Sequence, residues 1–149
     1  MKVSSNQIEN YLENKHIALV GASKDAKAFS NVIINELSAK GYAVYPVNPK
    51  GGMIANLKVY TNISEVPSEA TAVYIITNPK QTDQALESAV NAGYKHIWVH
   101  NSCQTKSVTE FTKPDINLIH GQCIVMYLDN SGVHGFHKFI LKVFNKLPK

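Results

Sequence analysis

Residues 15–50 read KHIALVGASKDAKAFSNVIINELSAKGYAVYPVNPK, and their reading decides the fold. A short apolar run, Ile17 to Val20, ends on Gly21 and enters a polar loop. Phe29, Val32, Ile33, Ile34 and Leu37 then recur at helical spacing, which predicts an amphipathic helix with those side chains on its apolar face. Gly41 closes that segment, and a second apolar run, Tyr42 to Val47, stops on Asn48-Pro49-Lys50. Strand, glycine turn, helix, glycine, strand is a βαβ unit.

The flanking sequence extends this unit. Asn6 followed by Glu9 fits a capping box for a short first helix with Ile8, Tyr11 and Leu12 inward, packed against the sheet edge. Lys58-Val59-Tyr60 predicts a short third strand, and Thr71 to Thr77 is a nearly continuous apolar run, the pattern of a strand buried on both faces. A helix over Gln81 to Asn91 comes next, with Ala85, Leu86, Ala89 and Val90 inward, and is stopped by Gly93. His96 to Val99 predicts a fifth strand, Val108 to Phe111 a weaker helix, and Asn117 to His120 a sixth strand. Val133 to Leu147 carries a last apolar stripe at helical spacing. The alternation predicts an α/β fold, a doubly wound, mostly parallel sheet of Rossmann-like type with flanking helices. A length of 149 residues fits one domain, spanning 1–149.

Composition narrows the function classes. Hydrophobic content of 44% is that of a globular chain. No apolar stretch approaches the roughly 20 residues of a membrane helix, and Met1 to Gln7 is too polar for a signal-peptide core. No membrane association and a cytoplasmic location are expected. The net charge of +4 comes entirely from lysines spread along the chain, without the forked guanidinium that clamps phosphates and reads guanine. No nucleic-acid partner is expected.

The loop at Gly21-Ala22-Ser23-Lys24-Asp25-Ala26 is a variant of the dinucleotide fingerprint Gly-x-Gly-x-x-Gly/Ala. The first glycine and the final small residue are present, and Ser23 replaces the second glycine, adding a hydroxyl where a phosphate lies on backbone amides. Lys24 and Lys27 place positive charge beside a helix N-terminus that suits anions. At the end of the second strand an NAD-binding unit has a carboxylate for the ribose 2′-hydroxyl; here stand Asn48, Pro49 and Lys50. A cation suits a ribose carrying its own phosphate, as in NADP or coenzyme A. The plainer readings are a structural turn for the loop and a solvated lysine for Lys50.

Val20-Gly21-Ala22-Ser23 together with Tyr45 to Lys50 resembles the small stand-alone CoA-binding domain proteins, which are similar to the N-terminal CoA-binding domain of the succinyl-CoA synthetase alpha subunit. The likeness continues through Ala72 to Pro79 and Ala92 to Trp98, and ends near Gly121-Gln122-Cys123. It implies a domain holding the ADP part of CoA at Gly21, Ser23, Lys24, Pro49, Lys50, Asn78 and Pro79. With their motif neighbours Ala22, Asn48 and Thr77 these are the candidate binding residues for coenzyme A or an acyl-CoA. The expected function is a non-catalytic binding or regulatory module, and the alternative is an NADP-binding oxidoreductase subunit or fragment. In doubly wound sheets ligands bind beyond the carboxyl ends of the strands where the winding reverses, so the first-strand loop and the Thr77-Asn78-Pro79 loop should face each other there.

Two further groups compete for chemistry. His100-x-x-Cys103 and His120-x-x-Cys123 each end a predicted strand and offer nitrogen and sulfur of the kind zinc takes. Structural zinc sites more often use compact paired-ligand loops and a buried free cysteine is ordinarily packing, so no metal is assigned. Cys123 has a conceivable mixed disulfide with the CoA thiol, but nothing in the sequence marks it as reactive. No nucleophile–base pair is readable, and no catalytic residue is expected.

Overall fold

The computed structural model describes residues 3–128. Five strands form one sheet: β1 (His16–Val20), β2 (Ala43–Val47), β5 (Ala72–Ile75), β6 (His96–His100) and β7 (Asn117–Gln122). Their order is β2-β1-β5-β6-β7, and every neighbouring pair is parallel. Two-residue strands β3 (Met53–Ile54) and β4 (Leu57–Lys58) form a separate hairpin. The helices are α1 (Ser5–Leu12), α2 (Phe29–Ala39), α3 (Pro79–Asn91) and α4 (Lys106–Thr109).

Side-chain alternation sorts the core into two layers. Ile17, Leu19, Ala72, Tyr74 and Trp98 point to the face covered by α1 and α2, whose Ile8, Tyr11, Leu12, Ile33, Ile34 and Leu37 are buried there. Ala18, Val73, Ile75, Ile97 and Val99 point to the opposite face and meet Leu86 and Ala89 of α3 and Val108 of α4. Helices on both faces make the sheet doubly wound and Rossmann-like. The winding reverses between β1 and β5, which lie side by side although α2 and β2 intervene in the chain.

Several elements differ from the sequence reading. The α1 capping box is formed by Ser4 and Gln7, earlier in the chain than Asn6 and Glu9, because Gln7 both receives and returns the bond. The helix lies over a sheet face and reaches edge strand β7 through Gln7 and Asn117. Lys58-Val59-Tyr60 is not a sheet strand: Lys58 belongs to the hairpin, whose two turn residues Ala55 and Asn56 have φ of 51° and 63°. Left-handed backbone at both positions is what a two-residue hairpin turn demands. Tyr60 makes only a lone parallel bridge to Val47. Phe29 and Val32, which share the apolar helical spacing, are 46% and 43% exposed; the buried stripe of α2 is narrower and runs through Ile33, Ile34 and Leu37. Around Val108 only the four-residue α4 forms, ending before Phe111. The Val133 to Leu147 stripe lies outside the described residues. Among the described residues no helix is long and apolar enough to cross a membrane.

Candidate functional site

At the carboxyl ends of β1, β2 and β5 opens a cleft of about 510 Å3. Its floor comes from Val20, Val47, Ile63 and Ile76, and its walls from the loops after the three strands and from α3. Gly21 fixes how closely β1 and β5 approach at this end. A Cβ on Gly21 would stand 2.0 Å from the Ile76 carbonyl oxygen, and its φ of +99° is one that side chains rarely adopt. Only glycine fits both demands. Its N–H donates to the Val47 carbonyl (3.3 Å), so one residue touches all three strand ends.

The second loop is tied to the first by one side chain. Asn48 Nδ2 donates to the Ala22 carbonyl (2.8 Å), while Asn48 Oδ1 accepts from the Lys50 N–H (2.8 Å) and folds Pro49-Lys50 into a turn. Tyr60 backs this turn, accepting from Asn48 N–H and donating to the Pro46 carbonyl (both 2.9 Å). On the other side Asn78 caps α3, its side chain accepting from Lys80 N–H (3.0 Å), and Pro79 takes the first helical position. Asn78-Pro79 is thus a helix start, not only a strand stop.

Six of the ten sequence candidates line the cleft: Gly21, Ala22, Asn48, Pro49, Thr77 and Asn78. Ser23, Lys24, Lys50 and Pro79 stand outside its lining. The Ser23 hydroxyl accepts from Asp25 N–H (3.1 Å), and its N–H donates to buried Ser30 Oγ (3.2 Å), which holds the loop against α2. A Cβ on Gly52 would lie 2.8 Å from Lys24 Nζ, so the Lys24 ammonium sits beside the turn that carries exposed Lys50. Ala26, read as the small residue that packs helix on strand, is exposed. The helix begins only at Phe29, and its N-cap Ala28 supplies no side-chain acceptor for the first-turn N–H groups.

Thr61, Asn62, Ile63, Gln81, Gln84, Ala85 and Ser88 also line the cleft and were not found from the sequence. Gln81, Gln84, Ala85 and Ser88 share the i, i+3, i+4, i+7 spacing of one helix face, a signal that was present but reads equally as a solvated stripe. The cleft lining carries no titratable side chain; Lys24 and Lys50 lie outside it, on the loops that follow β1 and β2.

The His-Cys pairs do not converge. His100, buried at the end of β6, is bonded through Nδ1 to the Tyr74 hydroxyl (2.7 Å), and burial holds its pKa below the usual histidine value. His120 Nδ1 is bonded to Gln104 Oε1 (3.0 Å). Burial pushes the Cys103 thiol up, and Cys123 is half-buried. Among the described residues no group of three or more His, Cys, Asp or Glu is placed to hold a metal. His134 and His137, spaced i, i+3 in the sequence with no third partner beside them, lie outside the described residues.

Comparison with known proteins accords with this geometry. A 91-residue stretch is 33% identical to a trans-feruloyl-CoA synthase from an unidentified prokaryote, covering 59% of this chain and 13% of that protein. A stretch of the same length is 28% identical to the alpha subunit of an ADP-forming acetate–CoA ligase of Pyrococcus furiosus, covering 60% and 20%. The chain thus spans no more than a fifth of the length of these two curated relatives. Among solved structures, a conserved hypothetical protein from Pyrococcus furiosus superposes with a TM-score of 0.69 at 33% identity, covering 74% of this chain and 97% of that one. The family described as CoA binding domain matches residues 15–129, and the chain belongs to that family.

Proposed function

We propose that the protein is a non-catalytic module that binds coenzyme A or an acyl-CoA through its ADP moiety. The observation that carries this reading is the pairing of an uncharged cleft with a cationic rim at the point where the sheet's winding reverses. A base and ribose suit the neutral cleft between the Thr61-Asn62-Ile63 loop and α3. The pyrophosphate belongs at the first turn of α2, where N–H groups have no side-chain cap. Lys24 and Lys50, brought to the same turn, are assigned together to the ribose 3′-phosphate. This assignment moves Lys24 away from the pyrophosphate, the group its place in the loop would suggest. The family match favours CoA over a nicotinamide cofactor, and the lack of any titratable side chain in the cleft lining supports binding without chemistry.

The test is a titration of wild type and Lys50→Ala with CoA and dephospho-CoA, which differ only in the 3′-phosphate. A roughly tenfold loss confined to CoA is expected from a charge-assisted contact. Equal loss for both ligands would remove the assigned role of Lys50.

A further inference from the structure

The CoA reading leaves the far end of the ligand unassigned, and any placement of that end rests on the same reading. A ligand that enters from the α3 side and lays its phosphates on the first turn of α2 continues across β1 and β5 toward the carboxyl end of β6. That end is His100, only 6% exposed, with the Phe29 ring laid against it at a centroid distance of 5.3 Å. Phe29 is the first residue of α2 and is nearly half exposed; Val32, one turn further, is the same. The 3-10 turn Ile124–Tyr127 packs on α2 and presents Met126, 45% exposed. Scattered exposed apolar residues need no explanation, but these three occupy two packed elements, and the Phe29–His100 contact puts the first of them at the carboxyl end of the sheet, the end at which the cleft opens. Under Phe29, burial favours the neutral form of His100, whose Nδ1 is engaged by Tyr74.

We propose that Phe29, Val32 and Met126 form an acyl subsite, so that the preferred ligand is a CoA thioester of an apolar acyl chain rather than free CoA. The occupant is chosen by continuity: the patch starts at the same first turn of α2 to which the CoA reading assigns the phosphates, and its three side chains are apolar.

The experiment titrates the full chain with CoA, acetyl-CoA and octanoyl-CoA. Each methylene taken from water adds about fourfold in affinity, so covering two or three makes octanoyl-CoA bind at least tenfold tighter than CoA. The double variant Val32→Gln/Met126→Gln leaves free-CoA affinity unchanged and brings octanoyl-CoA to within about threefold of it. Equal affinity of wild type for all three ligands would overturn the subsite while leaving the CoA reading intact. So would a double variant that keeps the octanoyl preference, or one whose only effect is on stability or oligomeric state, which would mark the patch as a protein contact. If folded wild type binds no form of CoA, the reading and the subsite fall together.

Discussion

Asn48 Nδ2 donates to the Ala22 carbonyl at 2.8 Å, and this bond joins the two loops on which the candidate site is built. The same side chain accepts from the Lys50 N–H, so one amide sets both the distance between the loops and the direction of the lysine turn. Asn48→Ala removes both bonds and should cost about 1–3 kcal/mol of stability. CoA affinity should fall about tenfold or more, since the rim cations lose their placement. Thermal unfolding and calorimetry on the same preparation check both effects. Asn48→Asp keeps the acceptor for Lys50 N–H but not the donor to Ala22, and should fall between wild type and the alanine variant in stability.

Gly21 and Gly93 have nearly the same backbone angle, φ of +99° and +93°, but different surroundings. Gly21→Ala meets the Ile76 carbonyl oxygen at 2.0 Å and must push β1 and β5 apart, whereas nothing lies within 4 Å of a Cβ on Gly93. Gly93→Ala should therefore cost only the left-handed backbone penalty, roughly 1–2 kcal/mol. Gly21→Ala should cost more than about 3 kcal/mol or leave no folded protein. Urea unfolding of the two variants side by side measures the difference.

Lys24 can be assigned to either phosphate group by its loop, but its ammonium lies against Gly52. Lys24→Ala should accordingly mimic Lys50→Ala, weakening CoA by about tenfold with little effect on dephospho-CoA. Comparable loss for both ligands would return Lys24 to the pyrophosphate.

Burial lowers the pKa of His96, His100 and His120 from 6.5 in the folded chain. In the unfolded chain these rings take up protons near pH 6.5, before the folded protein does. The unfolded state then binds more protons, so stability is fully present above about pH 6.5 and is lost as pH falls through the lower folded values. Unfolding free energy measured between about pH 8 and pH 5 should be flat at first and then decline. His100→Gln, which keeps an acceptor for the Tyr74 hydroxyl, should make that decline shallower.

Much of the architecture was legible because period and punctuation agreed. The nearly continuous apolar run at Thr71 to Thr77 predicts a strand buried on both faces, and β5, with all four residues buried, lies there between β1 and β6. The glycine after β1 and the asparagine after β2 marked residues that do line the cleft. What escaped depended on three-dimensional reach. Thr61 to Ile63 carries no motif and enters the site only because Tyr60 bridges to Val47. The long side chain of Lys24 crosses to the neighbouring turn, a direction no spacing encodes. Phe29 and Val32 satisfy the helical period and yet lie half exposed, because periodicity names a stripe without saying how wide a stripe the sheet covers. Ser30 carries no motif, yet it is buried and its hydroxyl accepts from Ser23 N–H.

The most direct measurement of the central claim is calorimetric titration of ligand-stripped protein with CoA, with NADP as the matched comparison. Saturable heat with CoA and none with NADP is the predicted result. Saturable NADP binding without CoA binding, or silence from both ligands on folded protein, would contradict it.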